Sequence, residues 1–172
     1  VAGRTVLELG AGTGAVGLSA AAFGARHVVL SDMDTLAVMS DDRNGFEKSS
    51  TLAALRANVE LNGSRALTTR VAELRWGCPE HIASLRARWP DGFDTIVASD
   101  LLYYPPETYG ALVSTIRALA AADSAVVLSY RVRHGSEHTF VDLLAAEHAA
   151  DGGACFECVH RGAADLASRS AP

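Results

Sequence analysis

The amino-acid sequence predicts an α/β fold, in which a doubly wound and mostly parallel sheet carries helices on both faces. Short apolar stretches, such as residues 4–10 and 27–32, are continuous rather than alternating in polarity, which is typical of parallel strands buried on both faces. Longer stretches with helical periodicity separate them. Because strand and helix follow one another repeatedly, right-handed crossover connections are expected.

Each element is predicted from its own pattern and boundary residues. A glycine-rich turn after the first strand leads into a helix over about 14–23 and then the second strand. The second helix, over 50–63, ends at Gly63, a residue that favours the left-handed conformation found at helix ends. The remaining predicted elements are strands near 66–71, 93–100, 125–132 and 155–160, and helices over about 79–88, after 105–106 and over about 136–148.

One segment, residues 40–50, interrupts this alternation. Its sequence SDDRNGFEKSS is polar, mixed in charge and without periodicity. We interpret it as a mobile insertion between the second strand and the second helix, since solvated surface insertions are well tolerated. A binding role for this segment is the less favoured alternative.

Composition restricts the possible partners and the compartment. The 172 residues, 49% of them hydrophobic, suit a single domain over 1–172, and the absence of a leading methionine predicts that a native N-terminal segment is missing. The formal net charge is −5 and no run of Lys or Arg is present, which disfavours nucleic acid as a partner. No apolar run reaches the roughly 20 residues that span a membrane. We therefore expect a monomer in the cytoplasm, with the nucleus as a second compartment.

Neither the cysteines nor the histidines indicate a metal site. Cys155 and Cys158 fall in a predicted strand, where residues three apart point to opposite faces. His134 and His138 are four apart near a predicted helix start, but the sequence offers no third ligand. We interpret both pairs as structural or surface residues and predict no bound metal.

The stretch LELGAGTGAVG, Leu7 to Gly17, indicates a ligand site. Gly12, Gly14 and Gly17 fit the G-x-G-x-x-G spacing of a dinucleotide site, and Asp32 follows Gly12 by twenty positions. Glu8, however, would oppose a pyrophosphate at the neighbouring helix N-terminus. A cationic ligand such as S-adenosylmethionine, which has an ammonium and a sulfonium and no phosphate, suits this carboxylate better. A nicotinamide-dependent oxidoreductase is the alternative.

Longer stretches resemble a known family. VLELGAGTGAVGLSAAAFGARHVVLSD resembles motif I and the following strand of the seven-β-strand methyltransferases. LRANVELNG, VAELRWG and FDTIVASDLLYYPPETYGALVSTI resemble methyltransferase family 16, which includes the non-histone protein lysine methyltransferases, and Asp100-Leu101-Leu102-Tyr103 matches its D-x-x-Y signature. The similarity extends from about Val1 to Phe140 and implies a Rossmann-like methyltransferase sheet.

The resemblance implies a set of residues that bind S-adenosylmethionine: Glu8, Gly10, Gly12, Gly14, Asp32, Met33, Leu74 and Trp76. The three glycines would line its methionine portion, with Glu8 near the ammonium directly or through water. Asp32 would accept hydrogen bonds from both ribose hydroxyls. Met33 would pack on the adenine, and Leu74 and Trp76 would close the other side of the adenine pocket. Core packing is the alternative role for Trp76.

The same resemblance implies two catalytic residues, Asp100 and Tyr103. Asp100 would hold and orient the substrate amine, and Tyr103 would flank it with its ring and hydroxyl. The alternative is that Asp100 only caps the helix that follows Pro105-Pro106. Arg131 and Arg133, together with the two histidines, follow the fifth strand and could border the substrate entrance.

The expected activity is S-adenosylmethionine-dependent methylation of a lysine side chain in an intracellular protein. A small amine or another protein side chain, such as histidine or arginine, is the first alternative as substrate. A non-catalytic binding domain that keeps the fold is a further alternative to an enzyme.

Overall fold

The computed structural model describes residues 1–41, 45–103, 105–133, 135–146 and 156–157. In this part of the chain, the strands are β1 Thr5–Leu9, β2 His27–Asp32, β3 Leu36–Asp41, β4 Gly45–Ser50, β5 Thr69–Glu73, β6 Phe93–Ser99 and β7 Ala120–Ser129. The helices are α1 Ala15–Ala22, α2 Thr51–Leu61, α3 Pro79–Arg88, α4 Tyr109–Leu119 and α5 Glu137–Ala145, with 3₁₀ turns at Gly63–Ala66 and Pro106–Thr108.

Five of the strands form a sheet in the order β5-β2-β1-β6-β7, and all neighbouring pairs in it are parallel. The predicted α/β fold is thereby confirmed. Because the strands are parallel, the carboxyl ends of β1, β2 and β6 meet at one edge, where ligands bind in sheets of this kind.

Several element boundaries differ from the predictions. Gly63, with a φ of 49°, starts a 3₁₀ turn, and this turn delays β5 to Thr69–Glu73. Strand β7 begins at Ala120, because the backbone of Ala120 pairs with Phe93, and ends at Ser129. Helix α5 ends at Ala145. The predicted strand at 155–160, with Cys155 and Cys158, and also His134 lie outside the described residues, except for residues 156–157.

The largest difference concerns the segment at 40–50, whose described residues, 40–41 and 45–50, lie in strands that the sequence did not predict. Strands β3 and β4 pair antiparallel between β2 and α2, from Leu36 opposite Ser50 to Asp41 opposite Gly45. A two-stranded ladder is held by backbone hydrogen bonds, which do not require an apolar periodicity. The available signal was the dipeptide Asn44-Gly45, which favours hairpin turns. The mobility of this segment stays a prediction.

The core lies on both faces of the sheet because neighbouring residues of each strand point to opposite faces. One cluster packs α3, α4 and α5 against the sheet, and its largest fully buried side chains include Leu7, Ile96, Tyr109 and Phe140. The other cluster packs α1 and α2 against the opposite face. Strand β1 is buried along its whole length between these two layers.

Two glycines of the LELGAGTGAVG stretch permit close packing of helices. A Cβ atom at Gly17 would lie 2.1 Å from Cδ2 of Leu30, so α1 could not approach β2 with any other residue there. A Cβ atom at Gly14 would lie 2.7 Å from Cδ1 of Leu55 on α2. The G-x-G-x-x-G spacing therefore reflects helix packing at these two positions.

Glu8 is buried under the first helix. Its Oε2 atom accepts a hydrogen bond of 2.8 Å from the backbone N–H of Gly17, and only 4% of the residue is exposed. Burial raises the pKa of Glu8 from 4.5 to about 7, and the negative charge of Asp32 adds to this effect, whereas the Gly17 N–H acts in the opposite direction.

The buried Glu8 carboxyl is expected to make stability depend on pH. Because its pKa is higher in the folded than in the unfolded chain, the folded state binds the extra proton between about pH 4.5 and 7. The stabilising contribution of protonated Glu8 is complete below pH 4.5 and is lost as pH rises through 7. The free energy of unfolding is then lower by up to about 3 kcal/mol.

Urea unfolding of the wild type and Glu8→Gln between pH 4.5 and 8 measures this contribution. The free-energy difference between the two proteins should shift with pH in favour of Glu8→Gln as pH rises. Glu60→Gln, on the exposed surface of α2, is the matched control for the change in net charge. Parallel curves for the wild type and Glu8→Gln would contradict the prediction.

Candidate functional site

A cavity of about 500 Å³ opens at the carboxyl ends of β1, β2 and β6. This volume lies within the range of small-molecule sites. Residues from both predicted groups line it: Gly10, Gly12, Asp32, Met33, Leu74, Trp76, Asp100 and Tyr103. The structure therefore brings the expected cofactor residues and the expected catalytic residues to one cavity. Glu8 and Gly14 do not line it.

The loop after β1 forms the floor of the cavity. A Cβ atom at Gly12 would meet nothing within 4 Å, whereas one at Gly10 would lie 2.3 Å from Cδ2 of Leu101. Both glycines have positive φ, 59° at Gly10 and 53° at Gly12, which side chains disfavour. Gly12 thus leaves open space above the backbone for a ligand, while Gly10 leaves room for Leu101 of the protein itself.

Asp32, at the end of β2, has a fixed orientation. Its Oδ2 accepts a hydrogen bond of 2.7 Å from the N–H of Gly12, and its Oδ1 accepts one of 2.7 Å from the N–H of Met33. Each oxygen keeps a further lone pair, so the carboxylate can accept two more hydrogen bonds from a ligand. This geometry suits the two neighbouring hydroxyls of a ribose.

The opposite wall follows β5. The N–H of Leu74 donates to the carbonyl of Asp32 at 2.8 Å, and Leu74 is almost completely buried. Trp76 is half-buried; it packs against the core and also lines the cavity, and its contact with an adenine stays a prediction. The next residue, Gly77, donates its N–H to Oγ1 of Thr115 at 2.8 Å, which ties this wall to α4.

Asp100 follows β6 in a conformation that is rare for a residue with a side chain. Its φ is 57°, and its N–H donates to the carbonyl of Ser129 at 2.6 Å. The side chain is 53% exposed, and its two oxygens accept hydrogen bonds from Nη1 and Nη2 of Arg133 at 2.7 and 2.9 Å. The Arg133 guanidinium lowers the pKa of the Asp100 carboxyl below its usual value, so the carboxylate is ionised.

The helix-cap alternative for Asp100 is wrong. Residue Thr108 occupies the N-cap position of α4, and the preceding 3₁₀ turn is capped by Pro105. Neither cap position receives a side-chain hydrogen bond. Asp100 interacts instead with Arg133 across the carboxyl ends of β6 and β7.

Two buried leucines hold Asp100 and Tyr103 at the rim. Leu101 and Leu102 are 6% and 2% exposed and belong to the core, and the hydroxyl of Tyr109 donates to the carbonyl of Leu102 at 3.2 Å. Tyr103 is 50% exposed and lines the cavity. The D-x-x-Y spacing therefore places the polar side chains of Asp100 and Tyr103 at the rim of the cavity, and the two leucines between them in the core.

Sequence reasoning missed several lining residues: Arg75, Ser99, Leu101, Glu107, Thr108 and Ala111. The position of Glu107, directly after the two prolines, could have suggested it, since the 3₁₀ turn there points towards the same sheet edge as Asp100. Arg133 was expected at the substrate entrance. The number of residues between Asp100 and Arg133 gave no indication that the two side chains pair.

In the part of the chain that the structure describes, no group of three or more His, Cys, Asp or Glu residues could hold a metal ion. None of the helices in that same part combines the length and the hydrophobicity needed to cross a membrane.

Comparison with solved structures agrees with the fold. Over 84% of this chain and 60% of the other, the structure superimposes on a ribosomal protein L11 methylase from Lactobacillus delbrueckii subsp. bulgaricus with a TM-score of 0.53 at 22% identity. A putative SAM-dependent methyltransferase from Streptococcus mutans gives a TM-score of 0.58 at 17% identity, over 83% of this chain and 35% of that one. These similarities show a shared α/β fold.

Comparison of sequences identifies the family. This chain is 34% identical to Protein N-lysine methyltransferase METTL21A of Danio rerio, over 83% of this chain and 56% of the relative. It is 30% identical to EEF1A lysine methyltransferase 3 of Xenopus tropicalis, over 83% and 54%. The chain thus spans about half the length of the curated relatives it matches. Residues 1–147 match the model of a family described as lysine methyltransferase. The chain belongs to this lysine methyltransferase family.

Proposed function

We propose that this protein transfers a methyl group from S-adenosylmethionine to a lysine side chain of a protein. The observation that carries the proposal is the single cavity that Asp32 and Asp100 share. Asp32 suits the ribose of a cofactor, and Asp100 with Tyr103 suits an amine that approaches from the rim. Family membership supports the same chemistry.

The residues of the cavity fit S-adenosylmethionine better than a dinucleotide. The pyrophosphate of a dinucleotide normally binds at the N-terminus of the first helix. Here the N–H of Gly17, in the first turn of α1, already donates to the carboxyl group of Glu8. Carboxylates of Asp32, Asp100 and Glu107 also line the cavity, and they would repel phosphate but suit a cationic ligand.

Each predicted contact has a physical basis. Gly12 leaves the space above the loop open, Asp32 presents two oxygens, and Met33, Leu74 and Trp76 provide apolar surface for the adenine ring. Glu8 is buried beneath the first helix, so we propose that it supports the loop and acts on the cofactor only through its charge.

Bound S-adenosylmethionine would supply a methyl group on a positively charged sulfur, and the sulfur keeps the electron pair of the broken C–S bond when the amine nitrogen forms the new C–N bond. A lysine amine, with a pKa near 10.4 in water, must first lose a proton. Asp100 can accept a hydrogen bond from this amine and so direct the lone pair of the amine nitrogen into the cavity. Tyr103 provides an aromatic face that favours a nitrogen carrying partial positive charge.

A protein is the substrate class that the open rim supports best. Asp100 and Tyr103 are both about half exposed, so a long side chain can reach them while its backbone stays outside the cavity. The net charge of −5 and the carboxylates at the rim favour a basic protein surface over nucleic acid. We further propose that the enzyme acts in the cytoplasm, a reducing compartment that suits its three cysteines, and that it acts there as a monomer.

Methyl-labelled S-adenosylmethionine, incubated with the protein and a cell extract, tests this proposal. Label is expected on lysine side chains of an extract protein. The chain itself contains one lysine, Lys48, so Lys48→Arg removes self-methylation as a source of label. Label confined to small metabolites, or found on histidine or arginine, would contradict the proposed substrate.

Asp32→Ala is expected to weaken binding of S-adenosylhomocysteine by about 1.5–3 kcal/mol, because it removes a charged acceptor of two hydrogen bonds. Isothermal titration calorimetry measures this change. Asp91→Ala, an exposed carboxylate before β6 at the other edge of the sheet, is the matched control and should bind normally. Unchanged affinity in Asp32→Ala would exclude Asp32 from the cofactor site.

Asp100→Asn is expected to lower kcat about 100-fold or more, since an orienting interaction of about 2.7 kcal/mol corresponds to that factor. Affinity for S-adenosylhomocysteine should barely change, because Asp100 acts on the amine. Steady-state turnover on the labelled protein substrate, with calorimetry beside it, separates the two effects. Asp123→Asn, an exposed carboxylate on β7, is the control for charge. Normal turnover, or a parallel loss of cofactor affinity, would show that Asp100 has another role.

A further inference from the structure

Arg133 is linked to the candidate catalytic carboxylate more closely than any residue considered so far. Its Nη1 and Nη2 atoms donate to Oδ1 and Oδ2 of Asp100 at 2.7 and 2.9 Å. The two residues follow neighbouring parallel strands, β7 and β6, and the N–H of Asp100 also donates to Ser129 at the end of β7. The pair therefore joins the ends of two strands at the rim of the cavity.

The backbone of Arg133 is fixed by a hydrogen bond to helix α5. Its backbone N–H donates to Oε1 of Glu137 at 2.6 Å. Glu137 is completely buried in the first turn of α5, so the position of this acceptor is fixed by the core. The guanidinium is thus presented from an anchored backbone, while its side chain remains 32% exposed.

The two parallel hydrogen bonds define how another group can approach Asp100. A guanidinium fork uses one lone pair of each carboxylate oxygen and holds the carboxylate in its own plane. The remaining lone pairs point away from Arg133. Because Asp100 lines the cavity and Arg133 does not, these free lone pairs are the ones available to a substrate amine.

We propose that Arg133 is a positioning residue for methyl transfer: its guanidinium fork fixes the plane of the Asp100 carboxylate, so that one free oxygen lone pair orients the substrate amine. This inference rests on the proposed function and adds a residue to it. Arg133 acts through Asp100 and makes no contact with the methyl donor.

The pairing with Arg133 also bears on whether Asp100 orients the substrate amine or accepts its proton. The arginine keeps the pKa of the Asp100 carboxyl low, and Arg131 acts in the same direction through its backbone N–H and its charge. Asp100 and, to a smaller extent, Glu137 raise the pKa of the Arg133 guanidinium, so it stays positively charged. A carboxylate held by this fork is a weaker proton acceptor, which favours orientation of the amine over removal of its proton by Asp100.

Two variants of Arg133 and one of Arg131 test the inference. Arg133→Gln removes the charge and the fork and is expected to lower kcat about tenfold, with affinity for S-adenosylhomocysteine changed less than about threefold. Arg133→Lys keeps the charge but not the fork and should be intermediate. Arg131→Gln removes a cation that also lowers the pKa of Asp100 but leaves the Arg133 fork intact, so its kcat should fall much less than that of Arg133→Gln.

Chemical rescue adds a measurement that a merely structural role would not change. Guanidinium chloride at millimolar concentration should restore kcat of Arg133→Ala several-fold, because free guanidinium can bind the exposed Asp100 carboxylate. Sodium chloride at equal ionic strength should not restore it, and neither salt should activate Asp100→Asn. Carbon-13 NMR titration of the Asp100 carboxyl, assigned with Asp100→Asn, should show a higher pKa in Arg133→Gln than in the wild type.

The outcomes separate this inference from the proposed function. If Asp100→Asn loses turnover while Arg133→Gln keeps it, the inference is wrong and the proposed function stands. If Asp100→Asn itself keeps turnover, the proposed role of Asp100 fails. Equal losses in Arg131→Gln and Arg133→Gln, absence of guanidinium rescue, or a parallel loss of cofactor affinity in Arg133→Gln would each overturn the positioning role.

Discussion

Strand β1 is buried along its whole length between two parallel neighbours, and this constraint brings the loop after β1, Asp32 and Asp100 to one edge of the sheet. Parallel pairing with β2 and β6 brings three strand ends to one edge. The loop after β1 therefore lies beside Asp32, and the segment after β6 lies beside the same loop. These groups meet because the strands are parallel, although they are far apart in sequence.

Three carboxyl groups at this edge have three different environments and therefore different chemistry. Glu8 is buried beneath α1, where the desolvated charged form is disfavoured. Asp32 is held by two backbone N–H groups and keeps lone pairs for a ligand. Asp100 is paired with Arg133 at the surface and stays ionised. The three groups therefore differ in burial, in hydrogen-bond partners and in the lone pairs that they leave available.

Sequence reasoning predicted the features that depend on local pattern. Continuous apolar stretches identified the buried parallel strands, and the position of Asp32 at the end of β2 followed from strand length. The glycines were harder, because a fixed spacing does not distinguish Gly12, which faces open space, from Gly14 and Gly17, which permit helix packing. The β3–β4 hairpin was missed because a ladder can form without apolar periodicity.

Contacts between distant segments could not be predicted. Asp100 and Arg133 are 33 positions apart, and nothing in their spacing indicates that the two side chains pair. The pair exists because β6 and β7 end side by side and because Glu137 fixes the backbone of Arg133. A motif can indicate that Asp100 matters, but only the fold shows which residue pairs with it.

The contact between Gly10 and Leu101 has a consequence for the residues that position 10 can accept. Leu101 occupies the space that a side chain at position 10 would need, so the loop after β1 and the segment carrying Asp100 lie in close contact. A smaller residue at position 101 would make room but would not remove a second obstacle, because position 10 also has a φ of 59°, which side chains disfavour. Glycine is therefore favoured at position 10 on two independent grounds.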